Sequence, residues 1–145
     1  MATDYYLEID GIDGESTDPG HKGEIEILSY SWGAVNPPAG GGATEIEDMS
    51  FRHRIDKASP KLMIACAQGS HHAIVELTAS IRPSQDYMKV KLTDCIVSSV
   101  HQSGHGSDMP IEEFTINFAT LQISYSRPKP DGSVGPTIVG GITAR

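Results

Sequence analysis

The sequence predicts a mainly β fold, a two-sheet β-barrel with one short flanking α-helix. Three observations predict it. Apolar and polar side chains alternate in segment after segment, the period of a half-buried strand. Two of these segments change parity midway, as a strand does when a bulge bends it from one layer into another. Helical spacing occurs only across residues 59–69.

The elements follow in order. Residues 4–10 put Tyr5, Leu7 and Ile9 on one face and Asp4, Tyr6 and Glu8 on the other. Gly11 to Gly14 is a turn cluster, and a polar connection through Asp18, Pro19 and Gly20 follows. Residues 24–32 form a strand whose parity switches, with Ile25 and Ile27 on one face, then Leu28, Tyr30 and Trp32 on the other. Residues 36–42 are a Pro/Gly loop. In residues 44–56, Met49, Phe51, His53 and Ile55 alternate. Residues 74–82 alternate cleanly, with Val75, Leu77, Ala79 and Ile81 against Glu76, Thr78, Ser80 and Arg82. Residues 87–101 form a long strand carrying Met88, Val90, Leu92, Ile96 and Val100. A Gly/Ser/His loop covers residues 102–109. Residues 113–126 form a strand with a second parity switch at Ala119 and Thr120, and residues 137–143 form a short edge strand.

The helix has its own signals. Ser59 is the expected N-cap, since its hydroxyl can accept from a free N–H of the first turn. Pro60 takes the first helical position, where a missing N–H costs nothing. Leu62, Met63, Ala65 and Cys66 share one side, and Gly69 ends the helix in the left-handed conformation. So short a helix is unstable alone in water, so it must dock on the β-core.

A chain of 145 residues points to one domain, residues 1–145. At this size roughly 68–70% of the unfolded surface is buried on folding, enough for a core without staples. The net charge of −8 argues against nucleic acid and against anionic membrane surfaces as partners. No window is long and apolar enough to span a membrane. Cys66 and Cys95 match no zinc or redox spacing and read as buried free thiols. Met1 to Asp4 does not begin a basic-then-apolar leader, so the expectation is a protein made and folded in a cytoplasm, exported by a separate machine if at all.

Candidate chemistry is sparse. His71 and His72 are adjacent and point apart in a strand. His101 and His105 sit in a flexible segment without a helix or an acidic ligand to complete a metal site. Asp10 to Glu15 lacks calcium-loop spacing, and Gly40, Gly41 and Gly42 have no P-loop lysine. No Gly-x-Ser-x-Gly occurs. Glu45, Glu47 and Asp48 read as a solvated strand face. The expectation is no catalytic residue, no cofactor and no metal. Such a β-protein works by presenting surfaces. Long strands with exposed edges, the loop from Asn36 and the apolar run from Thr137 to Ile142 all fit self-association.

Three stretches carry a resemblance. The first is Gly23-Glu24-Ile25-Glu26-Ile27-Leu28-Ser29-Tyr30-Ser31-Trp32-Gly33, preceded by Gly14-Glu15-Ser16. The second is Asp48-Met49-Ser50-Phe51, then Ile55-Asp56-Lys57-Ala58-Ser59-Pro60-Lys61-Leu62-Met63-Ile64-Ala65-Cys66. The third is Leu92 to Val100 with Glu113-Phe114-Thr115-Ile116-Asn117-Phe118. In this order the chain resembles the Hcp family, the haemolysin-coregulated tube proteins of type VI secretion systems, over essentially its whole length. The resemblance implies a β-barrel with one helix that assembles as a homo-hexameric ring. Rings stack into a hollow tube, driven by a contractile sheath, tipped by a VgrG spike and loaded with effector proteins. The loop after Gly33 is short and the chain ends soon after Gly141, whereas family members with long loops or C-terminal toxin domains extend further, so the expectation is a structural subunit or carrier.

On that resemblance, Ser29 and Ser31, opposite in parity to Tyr30 and Trp32, are candidates for the lumen and its cargo. Asn36, Pro37, Gly40, Gly41, Gly42, Gln102 and His105 are candidates for ring-to-ring contacts. Two competing readings are a monomeric barrel holding a small ligand, and a small secreted effector with a metal site at His101 and His105.

Overall fold

The computed structural model describes residues 2–38, 44–82 and 85–145. Within them the chain is mainly β with one helix. The elements run β1 (Thr3–Ile9), β2 (Ile25–Ile27), β3 (Ser29–Ser31), β4 (Ala34–Val35), β5 (Glu45–Ile46), β6 (Met49–Arg54), α1 (Ser59–Gln68), β7 (His71–Ile81), β8 (Gln85–Ser103), β9 (Ile111–Asn117), β10 (Thr120–Pro128) and β11 (Val134–Thr143). The main sheet has the order β2-β1-β7-β8-β9-β6-β3, with β10 pairing β8 and β11, while β4 and β5 form a separate ribbon.

Both parity switches mark places where the chain changes partner. At the first, β2 pairs with β1, Leu28 breaks the strand, and β3 pairs with β6. The two ends of the sheet are thus consecutive in sequence. The expected mainly β fold with two sheets and one helix holds; among the described residues the hydrogen-bonded ladder does not close into a barrel, and continuity of the chain through Leu28 joins its ends. At the second switch Phe118 and Ala119 separate β9 from β10. Both strands lie along β8. Residues Met88 to Thr93 pair with β10 and Ile96 to Ser103 with β9. Asp94 falls at this exchange with φ of 51°, the one non-glycine residue with positive φ among the described residues. An aspartate tolerates that conformation better than most residues, so it suits a kink in a 19-residue strand.

The core is built from the inward parity of these strands. Phe51 stacks on Phe114 with ring centroids 5.2 Å apart. Leu7, Ile25, Met49, Leu77, Leu92 and Ile116 fill the space around them. The helix contributes Leu62 and Ala65 and packs on β8. Its start differs from the sequence expectation. Ala58, not Ser59, is the N-cap, and it makes no side-chain capping bond. Asp56 competes successfully for the turn: its Oδ1 accepts from the Ala58 N–H at 2.9 Å, while Ser59 Oγ accepts from the Asp56 N–H at 3.2 Å. Gly69 ends the helix as expected, at φ 63°.

Candidate functional site: a polar outer face, an open edge and a buried charge pair

Ser29 and Ser31 are exposed, and Tyr30 between them turns inward to meet Tyr5 edge-on at 5.3 Å. Directly opposed residues in antiparallel strands point to the same side of a sheet. The register therefore builds two outward rows from the serines. One runs Ser29, Arg52, Glu113 and His101, and the other runs Ser31, Ser50, Thr115 and Ser99. Beyond them Ser98 donates to Asp48 Oδ2 at 2.7 Å, and Asn117 Nδ2 donates to Asp48 Oδ1 at 2.8 Å. Ser98 and Ser99 both hydrogen-bond Thr115. The result is a continuous band of small and polar side chains with charges of both signs. It offers no apolar patch to trap a passing protein.

The opposite kind of surface lies on β11. This strand contains no charged residue and pairs only with β10 among the described residues. Ile138 is 73% exposed and Val139 53%, with Ile142 and Val134 also exposed. Uncharged, apolar open edges invite strand pairing, and monomeric proteins normally blunt them.

The remaining sequence candidates are dispersed. Asn36 is exposed and Pro37 half-buried, just beyond the β4–β5 ribbon. Gly40, Gly41 and Gly42 lie outside the described residues. His105 is exposed, and its carbonyl accepts from the Asp108 N–H in a turn. Gln102 is not part of a free loop: it belongs to β8, and its Nε2 donates to Glu112 Oε2 at 2.8 Å. His101 and His105 share no ligand set, and among the described residues no group of three or more His, Cys, Asp or Glu side chains is arranged to hold a metal.

Sequence reasoning missed two histidine clusters. His53 and Glu112 are wholly buried, with Nε2 and Oε1 2.7 Å apart. His53 Nδ1 lies 3.7 Å from Asp56 Oδ2 and makes no hydrogen bond. Burial opposes charging this imidazole, but Asp56 and Glu112 outweigh it and hold its pKa above the ordinary histidine value. The signal was present in the alternation, since His53 shares parity with Met49 and Phe51, and Glu112 with Phe114. The second cluster is His21, whose Nδ1 is 3.0 Å from Glu24 Oε1 and whose Nε2 is 2.9 Å from Asp86 Oδ1. Its ring lies flat on Tyr6 at 4.4 Å. Burial again opposes the charge, and Asp86 and Glu24 again raise the pKa. Cys95 is buried, and desolvation, aided by Asp94, pushes its thiol up to about 11, which leaves it unreactive near neutral pH.

Comparison with known proteins matches this arrangement of strands and sequence. The model of the family described as "Type VI secretion system effector, Hcp" matches residues 6–125. Protein hcp1 of Pseudomonas aeruginosa is 38% identical over 144 residues, covering 92% of this chain and 89% of that protein. The crystal structure of Hcp1 from Salmonella typhimurium superposes with a TM-score of 0.87 at 35% identity, covering 99% of this chain and 95% of that one. A structure described as a type six secretion system protein gives a TM-score of 0.90 at 31% identity, covering 98% and 96%. With a family model spanning most of its length and relatives similar from end to end, this chain belongs to the Hcp family of type VI secretion proteins.

Proposed function

We propose that the chain is a structural subunit of a type VI secretion inner tube, forming homo-hexameric rings that stack and carry effector proteins through their lumen. The observation that carries this reading is the division of the surface into two kinds. The polar band through Ser29 and Ser31 suits the wall of a channel that must let folded cargo pass. The uncharged open edge of β11, with Ile138 and Val139 exposed, suits burial against a neighbouring subunit. Asn36, Pro37, Gly40, Gly41, Gly42 and His105 belong to the segments proposed for ring-to-ring contact, with Gln102 at the foot of one of them. A contractile sheath around the tube and a VgrG spike at its tip are the further partners of this proposal. The subunit acts by assembly rather than catalysis, from a cytoplasmic pool exported through the secretion machine.

The monomeric ligand barrel is less favoured, because Phe51, Phe114 and Phe118 occupy the interior where a ligand would sit. Electron images of the purified protein test the proposal. Six-fold rings with an open centre are the expected result, and isolated single subunits at high concentration would overturn it.

A further inference from the structure

Below the polar face, a chain of polar groups, wholly buried only at His53 and Glu112, links three strands and the turn before the helix. Asp56 sits in the turn before α1, His53 in β6, Glu112 in β9 and Gln102 near the end of β8. His53 lies opposite Glu112 in the β6–β9 register, and Glu112 lies opposite Gln102 in the β8–β9 register. Glu112 therefore receives the imidazole on Oε1 and the Gln102 amide on Oε2. The connection between β8 and β9, residues 104–110, hangs from these two residues. Its far end is also tied back, because the Ile55 N–H donates to the Pro110 carbonyl at 3.2 Å.

The charges facing His53 are unbalanced. From the turn before α1 comes Asp56, and from β9 comes Glu112, with Phe114 edge-on at 5.3 Å. From β8 only the uncharged Gln102 reaches the group, through Glu112. Arg52 and Arg54, on the same strand, have the opposite parity and are exposed. Ile25 and Ile27 of β2 are apolar and buried. Among the described residues the imidazole thus meets two carboxylates and no cation.

We propose that His53 and Glu112 form a proton-controlled strut that fixes the 104–110 connection to the helix turn and releases it when His53 loses its proton. A doubly protonated imidazole directs one N–H at Glu112 and the other toward Asp56. A neutral ring serves only one of them. If Nε2 keeps the proton, a lone pair on Nδ1 faces Asp56. If Nδ1 keeps it, a lone pair faces Glu112 in a fully buried site. Either way the wholly buried Glu112 carboxylate is left with no cation beside it, which is costly away from water. Outward movement of Glu112 relieves that cost, and it breaks the bond to Gln102.

Hydrogen exchange of the intact assembled protein, read over residues 101–112 and corrected for the intrinsic effect of pH, tests the strut. Protection in the native chain is expected to fall several-fold between pH 6 and pH 9. His53→Lys keeps a cation at both pH values and is expected to abolish the fall. Gln102→Ala cuts the strut at its loop end and is expected to give low protection at both. If the lysine variant does not fold, Glu112→Gln, which removes the buried charge, is expected to flatten the profile instead. Constant protection in the native chain, or an equal fall in the folded variants, would overturn the proposal. A consequence for ring stacking rests on the proposed tube role: tubes are expected to shorten over the same pH interval. Loss of protection with unchanged tubes would remove loop 104–110 from the stacking contact and leave the strut standing. Unchanged protection would remove the strut whatever the tubes do.

Discussion

The main-chain N–H of Leu28 donates to the carbonyl oxygen of Arg52 at 2.8 Å, at the point where the chain leaves one end of the sheet for the other. This single bond, with the peptide chain itself, stands where a closed barrel would have a full ladder. The Leu28 side chain is 45% exposed, so the residue matters through its backbone. Leu28→Ala is expected to change stability by less than about 1 kcal/mol, whereas Leu28→Pro, which removes the donor, is expected to cost about 3 kcal/mol. Denaturant unfolding of the two variants measures the difference. Equal losses would show that the seam does not depend on this bond.

Close backbone approach gives a second expectation. A Cβ added at Gly14 would lie 2.5 Å from the Glu24 carbonyl oxygen and 2.6 Å from Ile25 Cα. Both are backbone atoms and cannot swing aside. Gly14→Ala is expected to destabilise by about 1–3 kcal/mol, while Gly106→Ala, with nothing within 4 Å, stays within about 0.5 kcal/mol. Thermal unfolding of both variants checks the contrast.

His21 supplies a pH dependence independent of His53. Its pKa is raised in the folded protein, so its stabilising contribution is complete below the unfolded histidine value of about 6.5 and is lost as pH rises through the folded value. The melting temperature of the native chain is expected to decline from pH 6 toward pH 9. In His21→Gln the decline is expected to be shallower, with the larger loss at pH 6. A variant whose loss is greater at pH 9 would reverse the assigned sign.

The open edge separates folding from assembly. Ile138 makes little use of its side chain within the subunit, so Ile138→Lys is expected to leave subunit stability within about 0.5 kcal/mol. A lysine on the edge is expected to prevent pairing and lower the native mass. Calorimetry together with light scattering distinguishes this from simple unfolding. An assembly of unchanged mass would remove β11 from the subunit interface.

The lumen assignment has its own test. Ser31→Trp places a bulky apolar ring on the outward row beside Ser50 without touching the Phe51–Phe114 core. Ring formation is expected to persist while retention of co-expressed cargo falls. Unchanged retention would move the cargo contact away from this face.

The strands were legible because alternation is a local signal. Ile27 to Leu28 and Ala119 to Thr120 even marked where the chain changes partner. Which strands would pair was not legible, because β2 and β3 join opposite ends of a sheet whose order depends on contacts far apart in sequence. The helix cap was misread for a local reason: Asp56 can organise the same turn as Ser59, and two competing Asx and Ser signals within three residues look alike on paper. The His53–Glu112 pair needed the β6–β9 register, which joins positions 59 residues apart. Gln102 read as loop because it opens a run of Gly, Ser and His residues that has no apolar alternation. It is held in β8 by a bond to Glu112 that hydropathy does not encode.

The native mass of the purified protein in dilute buffer near pH 6, by light scattering, tests the central claim most directly. A particle of six chains of 15.5 kDa, or larger stacks of that unit, is expected. A stable species of one chain mass, unchanged on concentration, would contradict it.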